Sequence, residues 1–574
     1  MINNGFDLLI DDWIPCLEAG DIPKPYSIRS ALRNACHIRS IEHESPVVCI
    51  AVFRLLLAFC YRVAYANGVP LSSFRNWKVL QTAWREGVPP KWIDNYLDAY
   101  SCRDRFRLFD DKYPFFQLAG LKCQGGKQPE TATRLAFEQF GGTPTSLWEH
   151  SPEIPSVENA ALYLVTCQAF GASASNTSNA KVGDLEYSPT GRTFAPAYTG
   201  CIVWLEGENL LETLMLNLVD YDLTDTDLPI WEKPLSVHVL RARQPQKAKQ
   251  GDVDKDGQQI KIGKKMGDYR VASPTGPVQL FTWPSRAVLL TKPENGQVKA
   301  VHFTQGLALS DQPVDPMKPY NQEGKPINLQ RHKAAWRELH SLLAIQPNHN
   351  RTVLALSHAA RSGMAGRLNV AGIARGDEAA KILFWRRERM PVPAALLADV
   401  NLIERLGGLL QNAKDAAFEL NKRTRRIAKL YLAPDAESPT GRKADPEEIA
   451  KVADAIDPRP AYWARLEMHF FALLENLPKD WDVEHNDWKP DEQQAATNIW
   501  RKHVKDEAKR ALEESTRSLG TTARAIQAVA RVSTDFYDHD LFPSRRKRPR
   551  QNENLKEARR NDPRSNTKTE GVYR

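Results

Sequence analysis

Residues 277–320 read PVQLFTWPSRAVLLTKPENGQVKAVHFTQGLALSDQPVDPMKPY. From Val278 to Leu290 the segment is rich in Val, Phe, Thr, Trp and Leu, which predicts a β-strand. Glu294-Asn295-Gly296 is a turn signal. Val298 to Thr304 predicts a second strand, broken at Gln305-Gly306. Asp315-Pro316-Met317 closes the segment as a turn starter. The pattern is a β-hairpin with a basic residue, Lys299, near its turn. It carries no catalytic signature and reads as a surface that meets something extended.

Outside that segment the chain is ordinary in composition. Its 574 residues are 42% hydrophobic and 26% charged, the profile of a globular protein with room for about two to four domains. The longest apolar run, Val47 to Tyr65, is interrupted by Arg54 and Arg62, which argues against a membrane span. The start, MINNGFDLLIDDWIP, is acidic and has no basic region before an apolar core, so no signal peptide is expected and the compartment is read as cytoplasmic. The eight cysteines include no C-x-x-C pair and read as buried thiols. The formal charge of +8 is uneven: residues 544–574 hold 11 Lys and Arg against 4 Asp and Glu. The body is therefore nearly neutral, and nucleic acid would be met by local patches.

Towards the N-terminus, Ser27 can cap a helix through Cys36, and Ser45-Pro46 opens an apolar helix over Val47 to Ala66, from which Arg54 and Arg62 could snorkel. The aromatic run between Phe106 and Phe116, interleaved with arginines, suits core packing beside a turn better than a stacking platform. Residues 123–158 read as loop. Ser156 caps a helix from Val157 to Phe170 that stops at Gly171. The tract Ala172 to Lys181, ASASNTSNAK, is small and polar and reads as a mobile loop whose backbone can approach a ligand. No phosphate-binding G-x-x-x-x-G-K-[ST] motif is present there. Cys201 to Leu205 predicts a strand, then a turn at Gly207-Glu208-Asn209 and a helix through Leu218. Residues 243–270 form a polar insertion whose Asp252, Asp254 and Asp256 resemble the start of a calcium loop, but Gly263 stands where that loop needs Glu.

Asn328 can cap a helix running from Leu329 past Trp336 to Leu343. Arg361 to Arg375 reads as a polar loop and Glu378 to Arg387 as helix. Beyond Pro391 and Pro393 the pattern is helical only. Leu396, Val400, Ile403, Leu406, Leu410, Ala413 and Ala417 recur at helical spacing within a helix Ala395–Leu432. Pro460–Leu477, Glu492–Leu519 and Thr522–Phe536 follow, which predicts a four-helix bundle. Arg423 to Arg426 and Arg501-Lys502 are basic clusters on it. No metalloprotease, nucleophile-elbow or kinase motif occurs. Asp538-His539-Asp540 is the one suggestive metal-binding triplet, and its place at a helix end favours a capping role.

A further set of short motifs runs in order along the chain: Phe6-Asp7-Leu8-Leu9 with Trp13-Ile14-Pro15; Ser45-Pro46 with Leu55-Leu56-Leu57-Ala58; Phe106 to Phe109 with Pro114-Phe115; Gln168-Ala169-Phe170; Leu205 to Leu210 with Leu216-Asn217-Leu218; Leu280 to Arg286 with Asp315-Pro316-Met317; Trp336-Arg337; and Ala380 to Leu383. In this order they resemble the large subunit of the type I-E CRISPR Cascade surveillance complex, over nearly the whole length before the tail. The resemblance implies an α+β protein: a large mixed α/β N-terminal domain (1–390), a C-terminal four-helix bundle (391–543) and a disordered basic tail (544–574). It implies a non-catalytic subunit with no cofactor and no metal. Such a subunit recognises the protospacer-adjacent motif in double-stranded target DNA from the minor groove. It helps start strand separation and R-loop formation, and it recruits the helicase–nuclease. Its partners would be crRNA, target DNA, the backbone, 5′-handle-binding and small subunits, and that effector, with no membrane.

Residue by residue, the resemblance places the family's glycine loop on Gly171, Ala172, Ser173, Ala174, Ser175 and Asn176, of which only Gly171 is glycine. The lysine that enters the minor groove falls on Lys299, where it can reach base acceptors whose code is degenerate. The strand-separating wedge falls on Glu378, Ala379 and Ala380 with Arg375 beside it, and the family's glutamine is missing. The contact with the crRNA handle falls on Leu147 and Trp148. Two other readings remain open: a stand-alone metal-dependent nucleic-acid enzyme using Asp538, His539 and Asp540, and a purely architectural adaptor.

Overall fold

The computed structural model describes residues 5–538 except 124–128, 137–153, 173–179, 188–193, 242–249, 252, 254–257, 260–272, 310–313, 322, 344–352, 365, 376–381, 483 and 486. The chain divides into two compact units, Met1–Gly407 with Phe471–Lys489, and Gly408–Phe470 with Pro490–Arg574. The first is mixed. Its elements begin with β1 (Ile14–Glu18), β2 (Pro23–Tyr26), α1 (Ile28–Arg33), β3 (Ile38–Ile41), α2 (Pro46–Ala66), α3 (Phe74–Ala83) and α4 (Pro90–Ala99). Then come β4 (Leu121–Cys123), β5 (Glu130–Thr131), α5 (Val157–Phe170), β6 (Ala180–Val182), β7 (Leu185–Tyr187), β8 (Cys201–Glu206), α6 (Leu210–Asn217) and α7 (Val237–Arg241). They continue with α8 (Pro277–Phe281), β9 (Arg286–Leu290), β10 (Ala300–Gln305), α9 (Leu339–Leu343), α10 (Leu354–Ser362), β11 (Gly366–Arg375), β12 (Ile382–Val392) and α11 (Ala394–Ala398).

Helix α2 is the axis of this unit. It is apolar on all sides, and every residue from Val47 to Ala64 is buried, as expected of a helix enclosed by others. Helices α4, α5 and α8 pack on it. Its two arginines do not snorkel. Arg54 is buried, donates to Asp315 Oδ2 at 2.8 Å and lies 4.4 Å from the centre of the Phe281 ring. Arg62 is buried and binds Glu232 through two bonds, at 2.7 and 2.6 Å. Tyr96 donates to the same carboxylate at 2.6 Å. Each charge therefore finds its partner inside, the condition for tolerating a buried ion.

The strands form small antiparallel sheets in the orders β2-β1-β3, β5-β10-β9, β12-β11-β8 and β4-β6-β7. Between β9 and β10, Asn295 and Gly296 have positive φ, 51° and 77°, and Glu294 and Gln297 exchange both backbone hydrogen bonds. This is the two-residue hairpin that Asn-Gly encodes. The strand predicted over Val278–Leu290 is half wrong, because its first part is the helix α8. Asp227 causes this: its carboxylate accepts from Val278 N at 3.1 Å and Gln279 N at 2.7 Å, capping the helix from a distant point in the chain.

Three further expectations change. Arg361–Arg375 is not a loop; most of it is β11, the middle strand of its sheet. The helix predicted over Glu378–Arg387 is replaced, from Ile382 onward, by β12. Small residues of β11 hid the strand, because they alternate weakly and both its faces are covered. Asn328 caps no helix; only Ala335–Glu338 and α9 are helical there, and the Asn328 carbonyl accepts from Gly200 N instead. In 123–158, short strands and a 3-10 turn, Ala132–Leu135, interrupt the expected loop. Helix α1 ends at Arg33, short of Cys36. The core reading of the aromatic run holds: Phe106, Phe115 and Phe116 are buried. Six of the eight cysteines are buried and two half-buried, all free thiols.

The second unit is helical among its described residues. It holds most of α12 (Val400–Leu432) and α14 (Arg459–Asn476), with α13 (Pro446–Ala455), α15 (Ala495–Thr516) and α16 (Ala523–Asp538). The single helix expected over Ala395–Leu432 breaks at Asp399, leaving Val400 exposed, while Leu410, Ala413 and Ala417 face inward. Polar anchors join the helices: Tyr462 OH to Ala413 O at 3.0 Å, and Trp500 Nε1 to Leu409 O at 3.0 Å.

Candidate nucleic-acid interface

Helix α5 forms because Ser156 accepts from Asn159 N and an apolar sequence follows it. It ends where the small-residue loop begins. Gly171 N still donates to Cys167 O at 2.9 Å. Gly171 O then accepts from Ala195 N at 3.0 Å and from Arg286 Nη2 at 2.8 Å. The same Nη2 donates to Ala172 O. Gly171 and Ala172 are thus buried at the loop's root; Ser173, Ala174, Ser175 and Asn176 lie outside the described residues, and Ala180 and Lys181 belong to β6. Leu147 and Trp148, and the wedge residues Glu378, Ala379 and Ala380, also lie outside them.

Arg375, the last residue of β11, is described. Its guanidinium donates to Asn328 Oδ1 at 3.0 Å, the atom that accepts from Gly200 N at 3.0 Å. Upstream, Lys318 Nζ donates to Pro196 O. The stretch from Ala195 to Gly200 therefore links the root of the small-residue loop to Arg375 through successive hydrogen bonds.

Lys299 stands apart from that cluster. It lies on the connection just before β10, its side chain 54% exposed, and pairs with Glu294 Oε2 at 2.6 Å. The ammonium beside Glu294 holds that carboxyl below its ordinary value. Water and salt screen such an exposed pair, so Lys299 can exchange Glu294 for another acceptor. The hairpin turn touches the start of α5: Ser156 bridges Gln297, and Val157 N donates to Gly296 O at 3.2 Å. Gly171 lies at the other end of α5, which at 14 residues is about 20 Å long. The hairpin register agrees, since Arg286 pairs with Gln305, six residues from Lys299. The loop root and Arg375 are thus linked through the Ala195–Gly200 segment, while Lys299 lies near the opposite end of α5, about 20 Å from Gly171.

Two other basic clusters are partly occupied by ion pairs. Arg387 binds Glu206 at 2.7 Å and Arg389 binds Glu42 at 3.0 Å. In the second unit, Arg423 is buried and Arg426 pairs with Glu437 at 2.7 Å, which leaves Arg425 exposed. No group of three or more His, Cys, Asp or Glu among the described residues is placed to hold a metal. Asp538 closes α16, and His539 and Asp540 lie outside the described residues.

The family model of CRISPR-associated protein Cse1 matches residues 7–255 and 262–511. The chain belongs to the Cse1 family. It is 28% identical over 553 residues to the CRISPR-associated protein CasA/Cse1 of Thermus thermophilus, covering 92% of this chain and 96% of that one. The crystal structure of Thermus thermophilus CasA superposes with a TM-score of 0.70 at 26% identity, over 93% of this chain and 98% of that one. A chain of a CRISPR RNA-guided surveillance complex shares the fold, with a TM-score of 0.63 at 17% identity, over 93% of this chain and 99% of that one. For a Cse1-family chain, the residue that sequence reading left without a role is Arg286. It was visible as the end of the Trp283-Pro284-Ser285-Arg286 motif, but nothing local shows that it reaches the end of α5.

Proposed function

We propose that this Cse1-family chain is the non-catalytic large subunit of a type I-E Cascade complex. In this reading it recognises the protospacer-adjacent motif of double-stranded DNA from the minor groove, helps open the first base pairs into an R-loop, and recruits the helicase–nuclease. Family membership over both halves of the chain carries the reading. It gains support from an exposed, exchangeable Lys299 and from a small-residue loop whose root is linked to Arg375 through Ala195–Gly200 and Asn328. Its partners are crRNA, target DNA, the backbone, 5′-handle-binding and small subunits, and the effector, in the cytoplasm. The four long helices of the second unit are read as a four-helix bundle, with Arg425 as an exposed phosphate contact. Leu147 and Trp148 meet the crRNA handle, and the segment around Glu378 to Ala380 acts as a wedge by shape, since glutamate lacks the amide donor.

The test is reconstitution with the other subunits and a guide RNA, offered a duplex library with randomised bases beside a guide-matched target. A preferred motif should be enriched only when this chain is present. Lys299→Ala should lower binding to the enriched duplex about tenfold, as expected for one lost base contact, and leave assembly intact. Unchanged affinity would remove Lys299 from the interface. Metal-dependent cleavage of DNA or RNA by the isolated chain would overturn the non-catalytic reading, and motif choice that persists without the chain would reduce it to an adaptor.

A further inference from the structure

Arg286 is fully buried. Burial pushes its pKa down to about 10, so it stays charged at neutral pH. Its backbone is tied to α5 on both sides: Arg286 N donates to Gln168 Oε1 at 2.8 Å, and Gln168 Nε2 donates to Arg286 O at 2.9 Å. Ser285 Oγ donates to Gln168 O at 2.7 Å. The side chain then runs along the last turn of α5, with Nη1 on Ser285 O at 2.7 Å and Nη2 on Gly171 O and Ala172 O. Gly171 is the residue that admits it. A Cβ there would lie 2.7 Å from Cys167 O and 3.1 Å from Arg286 Nε. The glycine at this position is thus explained first by the Cys167 carbonyl and then by the guanidinium that lies against it.

We propose that Arg286 is a positioning residue for DNA-motif reading: its buried guanidinium, fixed to Gln168 through its own backbone, holds the Gly171 and Ala172 carbonyls and so sets the direction in which the chain leaves α5. This rests on the reading of the chain after Gly171 as a DNA contact. A buried cation is a costly way to fill space. A carbonyl clamp gains from it what an apolar side chain could not supply, a fixed orientation of two successive peptide groups. The Ala195 N to Gly171 O bond extends the same anchorage to the segment that reaches Arg375 through Asn328.

Two measurements on Arg286→Met, Arg286→Lys and Gly171→Ala test it. In the full chain, amide hydrogen exchange at Gly171 and Ala195, which donate to Cys167 O and Gly171 O, should quicken at least about tenfold in Arg286→Met and Gly171→Ala, with β9 and β10 still protected. Arg286→Lys should recover part of the protection. In the reconstituted complex, enrichment from the randomised duplex library should flatten about tenfold in the same order, with binding to unrelated duplex unchanged. If Arg286→Met does not fold, Arg286→Lys and Gly171→Ala carry both measurements. Faster exchange with an unchanged motif profile, or no change in either, overturns the proposal. Replacing Ser173, Ser175 and Asn176 with aspartate is the control. If that also leaves the motif profile intact, the loop is no DNA contact and the underlying reading fails; if it abolishes selection while the Arg286 and Gly171 variants keep it, only the positioning role fails.

Discussion

Lys318 holds its ammonium in the interior, against Pro196 O, between the Arg54–Asp315 pair and Arg375. Burial pushes its pKa down to about 8 from an ordinary 10.5, with Asp315 opposing the shift. The proton is therefore held more tightly by the unfolded chain. Below about pH 8 both states carry it and the burial cost is fully present; as pH rises from there towards 10.5, the folded state releases it first and stability increases. Relative to Lys318→Met, the native chain should gain about 2 kcal/mol between pH 7.5 and 10, by denaturant unfolding. A difference that stays flat with pH would show that folding does not lower the Lys318 pKa and that the ammonium stays charged across this range. Single residues were legible in the sequence when their role depended on neighbours in the chain. Gly171 as a helix stop and Phe106 and Phe115 as core residues are of this kind. Arg54 and Arg62 were misread because their partners lie 261 and 170 residues away, and nothing in a helical pattern distinguishes a buried arginine from a snorkelling one.

Caps separate the elements that were readable from those that were not. The N-caps of α1, α5 and α6 are Ser27, Ser156 and Asn209, each bonded three residues ahead. Such caps are written locally, and those helices begin as predicted. Helix α8 takes its cap from Asp227, which also accepts from Tyr221 OH at 3.0 Å. Gly276 leaves room for it, since a Cβ there would run into the Tyr221 hydroxyl. Asp227→Ala strands three donors and should cost about 2–4 kcal/mol. Asp227→Asn keeps one acceptor oxygen and should cost less. Loss of protection at Val278 and Gln279 in hydrogen exchange would locate the effect; a variant as stable as the native chain would deny α8 its remote cap. The β11–β12 pair was missed for a related reason. A middle strand with both faces covered loses the alternation that marks a strand, and β12 sets its aromatic residues (Phe384, Trp385) and its charged residues (Arg386 to Arg389) in blocks, with no period-2 pattern to read.

At the scale of the molecule, the family was legible because collinear short motifs survive where no single one is decisive. The distances between candidate readers were not. Sequence order gave no hint that Lys299 and Gly171 stand at opposite ends of α5, because α5 and the hairpin run side by side only after folding. The same separation of sequence from space bears on how the chain is made. Helix α2 is long and apolar enough to cross a membrane by length and composition, and in the fold it is wholly covered. Part of its cover, α8 and Asp315, is synthesised late. Asp315 follows Arg54 by 261 residues, a delay of about 13–50 seconds at ordinary rates of translation. During that interval a hydrophobic rod with incomplete cover stands near the ribosome, open to chaperones and to the insertion machinery. Arginine near the centre of such a rod disfavours insertion by about 2.5 kcal/mol or more. Arg54→Leu, in a nascent chain halted at Gly276, should therefore raise the share that floats with membrane vesicles; an unchanged share would leave Arg54 with its folded role alone. The two charges that anchor the finished core would, while it is still being written, keep its central helix out of the lipid.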